Sequence, residues 1–153
     1  MPGPGVCPGK IPAMAAFRHV LPVRVYYEDT DAAGVVYYAN YLRYLERGRT
    51  DWLRALGMEH TALLRARGLA FVVRSLSAEY LKPARLDDQL QVLTWADSVG
   101  RAQMVFAQRV EREGELLLDA RVKAACFDPA TGKPTGLPAD LLQTLRTSME
   151  NPA

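Results

Sequence analysis

Cysteine and histidine are scarce in this chain, and their scarcity removes whole classes of chemistry. Only two cysteines, Cys7 and Cys126, occur among 153 residues. They are too few for a disulfide framework and lack the paired spacing of a zinc site, which fits a reducing compartment. The two histidines, His19 and His60, cannot build a His-rich metal centre, so no metal is expected. No serine lies in the G-x-S-x-G context of a nucleophile elbow, and a Ser-His-Asp triad is not expected either. Long apolar runs are missing as well: nothing approaches the roughly 18–20 residues that span a bilayer. The opening stretch MPGPGVCPGKIPAMAAF has no continuous apolar core of the secretory type. A cytoplasmic location is the default expectation, with peripheral contact at the inner membrane left open. Charge of one sign is also lacking, because 19 basic against 17 acidic residues leave a net +2. No broad field is available to gather nucleic acid, so an anionic ligand must be met by local contacts.

What remains is ordinary globular material, with 49% hydrophobic and 24% charged residues in a single-domain length. Residues 1–18, rich in Pro and Gly, read as a flexible leader, 19–147 as one domain and 148–153 as a tail. Leu21–Glu28, dominated by Val23, Val25, Tyr26 and Tyr27, reads as a strand. Asp29-Thr30-Asp31-Ala32-Ala33-Gly34 breaks it with turn formers. A long amphipathic helix is expected over Tyr38–Leu56, closed by Gly57, with Gly48 inside it marking a close approach by another backbone. Glu46 stands within i+3 reach of Arg49 on that helix, which predicts an exposed ion pair. A short helix over Glu59–Arg67 follows, then strands at Leu69–Leu81, Gln89–Val99, Arg101–Glu111 and Glu115–Phe127, and a terminal helix over Pro138–Arg146. In the last strand Leu116, Leu118, Ala120, Val122, Ala124 and Cys126 alternate with Asp119, Arg121 and Lys123, the pattern of a half-buried antiparallel sheet. The whole reads as an α+β layer, a curled antiparallel sheet of five strands around one long central helix. Such a sheet exposes more apolar surface than one helix covers, which predicts a homo-oligomer.

The acidic turn is the one constellation with chemical promise. As a calcium loop it would need an oxygen ligand at Ala33 and a bidentate Glu where Asn40 stands, and it has neither. An aspartyl-phosphatase reading of Asp29-Thr30-Asp31 lacks recognisable partners for magnesium and phosphate. Gly132-Lys133 resembles the end of a phosphate loop, but Phe127 and Pro134 occupy the positions where glycine and Ser or Thr are needed. The turn is equally compatible with helix capping, for which Asp is favoured. A carboxylate just ahead of a helix start also lies near unsatisfied backbone N–H groups able to hold an oxyanion. Carboxylate and oxyanion donors are the two parts acyl transfer needs. A thioester substrate makes a histidine dispensable, because a thiol of pKa about 8.5 leaves as thiolate with little help from an acid.

The stretch from Val23 to Tyr41, together with Phe71-Val72-Val73-Arg74, Glu79-Tyr80, Pro83-Ala84-Arg85-Leu86-Asp87-Asp88 and Asp128-Pro129, resembles the hotdog-fold thioesterases of the 4-hydroxybenzoyl-CoA thioesterase family. Within that family it is most similar to the Tol-Pal-associated acyl-CoA group. The resemblance implies a hotdog fold and hydrolysis of acyl-CoA, with acyl carrier protein as a further candidate partner and a dimer or dimer of dimers as the assembly. No separate cofactor is implied, coenzyme A being part of the substrate. By position it puts the catalytic carboxylate on Asp31, the carbonyl-polarising backbone N–H on Tyr38 and the close-turning glycine on Gly34. Asp31 would serve as nucleophile or as general base, and Asp29 would orient the loop or cap the helix. Arg74, Lys82, Arg85 and Arg101 are the candidate contacts for the phosphates of coenzyme A. Where the Tol-Pal-associated group commonly has histidine, this chain has Tyr38, as the aromatic-acyl branch can. The alternative to an enzyme is a non-catalytic hotdog scaffold that binds acyl-CoA or acyl carrier protein. A hotdog dehydratase is disfavoured, since His60 lies outside the acidic loop.

Overall fold

A computed structural model describes residues 17–150 of the chain. Of the expected tail, 148–150 belong to the terminal helix and the rest lies outside the described residues, as does nearly all of the expected leader. Elements follow in the order β1 (His19–Arg24), a single 3-10 turn (Tyr27–Asp29), α1 (Asn40–Ala55), α2 (His60–Arg67), β2 (Ala70–Tyr80), β3 (Gln89–Val99), β4 (Gln103–Arg112), β5 (Glu115–Asp128), β6 (Lys133–Pro134) and α3 (Ala139–Glu150). One antiparallel sheet runs β1-β3-β4-β5-β2, with the two-residue β6 added beside β5. The curled sheet around a central helix therefore stands as expected from the sequence, with the short β6 as an addition.

Three bulges help to bend the sheet, since an extra residue on one strand kinks it and raises the local twist. They fall where the pairing skips Arg74 in β2, Asp97 in β3 and Leu117 in β5. The last one shifts the alternation expected for β5. Leu118, Ala120, Val122, Ala124 and Cys126 are buried as anticipated, whereas Leu116 is half-buried and Leu117 is fully buried.

α1 lies in the curl because its apolar stripe matches the inner face of the sheet. Tyr41, Tyr44 and Leu45 pack with Val23, Leu90, Val92, Val110, Leu118 and Ala120 in one apolar cluster. About two turns further along, Trp52 and Leu53 pack with Met104, Phe106, Val122, Cys126 and Leu145 in another. Between the two clusters stands Gly48. A Cβ there would lie 2.8 Å from Thr94 Oγ1 and Val92 Cγ1 and 3.0 Å from Gln108 Nε2. The close approach expected at this glycine is real, but it is made by side chains of β3 and β4 and not by a backbone.

At the sheet's outer end, Phe17 is buried, its amide donates to Ser148 O and its carbonyl accepts from Trp52 Nε1. His19 Nε2 lies 2.6 Å from Asp51 Oδ2, tying β1 to α1.

Candidate active site

β1 ends at Arg24, earlier than its β-forming sequence suggests, and the cause is a carboxylate. Asp29 Oδ2 accepts from the Tyr26 amide at 2.8 Å, which folds the chain back into the 3-10 turn and leaves the Tyr26 and Tyr27 side chains exposed. From there a small hairpin projects. Thr30 bridges Val36, the Asp31 amide donates to Val35 O, and Gly34 closes the turn with φ at +82°. This left-handed angle is one glycine adopts without steric cost. The hairpin is fastened to the segment ahead of β3, through the Val36 amide to Ala84 O and a bridge between Val35 and Arg85.

The two acids of the turn have divergent fates. Asp29 is buried, and its carboxylate also accepts from Asn40 Nδ2 at 3.0 Å. It touches the helix start through this side chain, so the capping role open to it takes this indirect form; α1 has no side-chain cap on its first amides. Asp31 is exposed. Its Oδ1 accepts from the Ala33 amide at 2.8 Å, and Oδ2 has no hydrogen-bond partner among the described residues. A carboxylate held by one oxygen has its other oxygen free for a reacting group.

Tyr38 precedes α1 by two residues. Among the described residues no acceptor takes its amide, while its carbonyl accepts from Tyr80 Oη at 2.9 Å. The rings of Tyr38, Tyr80 and Tyr41 meet edge to face, with centroids 6.3 Å apart for the first pair and 5.5 Å for the second. They line an open cleft of about 240 Å³ with Val36, Lys82 and Pro83. Burial raises the phenol pKa of both Tyr41 and Tyr80. These rings are therefore neutral hydrogen-bonding groups at physiological pH. Tyr80, Tyr41 and Asn40 were not singled out in the sequence. The alternation of β2 places Tyr80 on the same face as Leu76 and Ala78, and that is the signal from which it could have been found.

The four expected phosphate contacts do not converge. Lys82 lines the aromatic cleft, with its ammonium 2.5 Å from Glu115, and Arg85 flanks the acidic hairpin. Arg74 sits at the bulge midway along β2, roughly 20 Å from the Tyr80 end at about 3.3 Å per residue. Arg101 lies beyond the far end of β3, where its carbonyl accepts from Leu137. The ion pair expected between Glu46 and Arg49 is absent among the described residues. Arg49 donates instead to Gln108 Oε1 at 3.0 Å, because the gap at Gly48 lets Gln108 reach the helix and offer a buried acceptor.

A curled antiparallel sheet around one long helix is an arrangement that known proteins share. A profile of the thioesterase-like superfamily matches residues 25–145. The chain belongs to that superfamily. An acyl-CoA thioesterase YbgC from Haemophilus influenzae is 48% identical over 120 residues, covering 78% of this chain and 88% of that protein. A probable thioesterase from Bartonella henselae, solved by crystallography, is 35% identical with a TM-score of 0.76 over 79% of this chain and 99% of the other. The fold also matches that of a 4-hydroxybenzoyl-CoA thioesterase mutant complexed with 4-hydroxybenzoyl-CoA, with a TM-score of 0.79, 23% identity, and coverage of 85% and 99%. The hotdog fold and the thioester-hydrolase class expected from the sequence both stand.

Proposed function

We propose that this protein hydrolyses acyl-CoA thioesters with Asp31 as the reacting carboxylate and the Tyr38 amide as the donor to the thioester carbonyl oxygen. The observation that supports this reading is the free Oδ2 of Asp31, in a hairpin anchored to the start of α1, where the Tyr38 amide is also free. The H. influenzae relative, an acyl-CoA thioesterase by name, supports the substrate class. Two routes use the same atoms. In one, Asp31 Oδ2 attacks the carbonyl carbon, the C–S bond breaks, coenzyme A leaves as thiolate, and water cleaves the resulting anhydride. In the other, Asp31 takes a proton from a water molecule, whose oxygen attacks the carbonyl before the thiolate departs. In both, negative charge develops on the carbonyl oxygen, and a backbone N–H at a helix start stabilises it without reorganisation. Acyl carrier protein thioesters present the same reacting group and are included as substrates.

The proposal extends to a homodimer. β2 is an edge strand of 11 residues, and Val73, Leu76 and Tyr80 on its inner face are exposed apolar side chains that α1 leaves uncovered. Antiparallel pairing of β2 with a second copy covers them.

Asp31→Asn tests the chemistry, since it keeps the size and removes the charge. Loss of one essential carboxylate is expected to lower turnover of short-chain, aromatic and long-chain acyl-CoA by about 100-fold or more, read as thiol release. Parental rates for all three would overturn the assignment. Absence of thiol release by the parent protein, with acyl-CoA still bound, would establish the scaffold alternative.

A further inference from the structure

Asp29 is a carboxylate that the proposed chemistry leaves unused, in a setting where a carboxylate is costly. It is 8% exposed, and both of its oxygens are satisfied by neutral donors, the Tyr26 amide and the Asn40 side-chain amide. No cation pairs with it among the described residues. Burying an ionised carboxylate without a partner of opposite charge is unfavourable unless hydrogen bonds replace its hydration. Its own backbone also takes part, since Asp29 O accepts from the Tyr37 amide at 2.9 Å. One residue thus holds three points of the chain: position 26 where the loop begins, position 37 beside Tyr38, and position 40 where α1 begins. Asp31 lies two residues beyond it inside the loop so defined.

We infer that Asp29 is a positioning residue for hydrolysis, with Asn40 as its second half, and that the pair fixes the Asp31 carboxylate and the Tyr38 amide relative to each other. The inference rests on the reading that Asp31 is the reacting carboxylate. The mechanism is geometric. Asp29 Oδ2 sets where the hairpin leaves β1, and Asp29 Oδ1 sets where the helix start stands against it. A charged acceptor makes both hydrogen bonds stronger than a neutral amide oxygen would. Tyr44 supports the arrangement from below. Its buried hydroxyl has no hydrogen-bond partner of good geometry, and burial first, then the adjacent Asp29 carboxylate, keeps it protonated. The base of the clasp is therefore a neutral, ordered ring packed in the core.

The experiment is a double-mutant cycle read on turnover. Asp29→Asn keeps the shape, retains one acceptor and removes the charge. It is expected to lower kcat by about 10- to 100-fold with KM within about twofold, the size of loss that misplacing a reacting group by about 1 Å produces. Asn40→Ala breaks the same link from the helix side and should give the same split, so it carries the test if Asp29→Asn fails to fold. In an Asp31→Asn background, Asp29→Asn should lower the residual rate by a much smaller factor than in the parent, because only the Tyr38 amide is then left to position. A merely structural role would lower the residual rate by the same factor in both backgrounds, and that result would overturn the inference. Parental kcat in folded Asp29→Asn and Asn40→Ala would also overturn it. If Asp31→Asn itself retains full activity, the reading of Asp31 fails first, which separates the two failures.

Discussion

Gly48 shows how one residue can be read against its own propensity. Ala in place of a mid-helix glycine ordinarily stabilises by about 1 kcal/mol. Here the new Cβ would sit 2.8 Å from two side-chain atoms of β3 and displace the buried Gln108 amide that donates to Leu45 O and Thr94 Oγ1. Overpacking of this kind costs about 1–3 kcal/mol, and it disturbs buried hydrogen bonds as well. Gly48→Ala is therefore expected to lower the melting temperature, as thermal denaturation will show; an increase would mean that β3 gives way freely. At this scale the sequence was informative where a residue's type restricts its setting. A mid-helix glycine announced a close approach, Gly34 announced a turn, and Cys126 in an apolar alternation announced a buried thiol, whose pKa burial indeed raises. Residue patterning alone was silent on which of the two acids of the turn stays free; only the family resemblance pointed to Asp31. The outcome depends on Asn40, which reaches Asp29 across the loop, and no spacing rule encodes such a contact.

Among the elements, strand identity followed from period-two patterning, and errors clustered at ends and bulges. The strand expected to run to Glu28 stops at Arg24 because a side chain, Asp29, captures a backbone amide that β-propensity had assigned to the ladder. The β4–β5 hairpin and the segment ahead of β3 are joined by charge. Arg112 donates to Asp88 at 2.8 Å and to Glu115 at 2.9 Å, and Glu115 also meets Lys82. Partial burial works against ionisation of Asp88, yet the Arg85 amide and the Arg112 guanidinium outweigh it and hold the carboxyl below its ordinary value of 3.8. A depressed folded pKa contributes stability that is present above the unfolded value and is lost as pH falls through the folded one. Acid titration of stability should therefore steepen below about pH 4, and Asp88→Asn should flatten that limb while lowering stability at neutral pH. An unchanged acid limb in the variant would show that the clamp contributes nothing.

For the molecule as a whole, the pairing of an edge strand with uncovered apolar side chains makes association the expected state. Light scattering across micromolar concentrations is expected to report twice the 17.0 kDa chain mass. Replacing Leu76 with Lys places a charge on that inner face and should shift the mass toward the monomer and reduce turnover with it; a monomeric parent with full activity would overturn the dimer proposal. The curled sheet around one helix was legible because one helix pattern followed by four alternating segments has few compact solutions, and the resemblance supplied the hotdog family. The dispersion of the basic residues was not, because adjacency around a curled sheet depends on strand order, and β2 ends up beside β5 rather than β3.

The belt formed by Arg49, Gln108 and Thr94 beneath Gly48 divides the interior into two apolar compartments. Asp29, Asn40 and Tyr41 attach to one, while Leu145 and Trp52 fill the other. Truncating Leu145 to Ala is expected to remove about 2–5 kcal/mol of stability, measured by denaturant unfolding, and to leave the turnover of folded protein at room temperature as it was. On the proposed assignment, the enzyme keeps its ballast and its working parts in separate holds. Heat resistance can be raised or lowered by repacking the hold beneath the terminal helix, and the chemistry proposed at the start of α1 need not register the change.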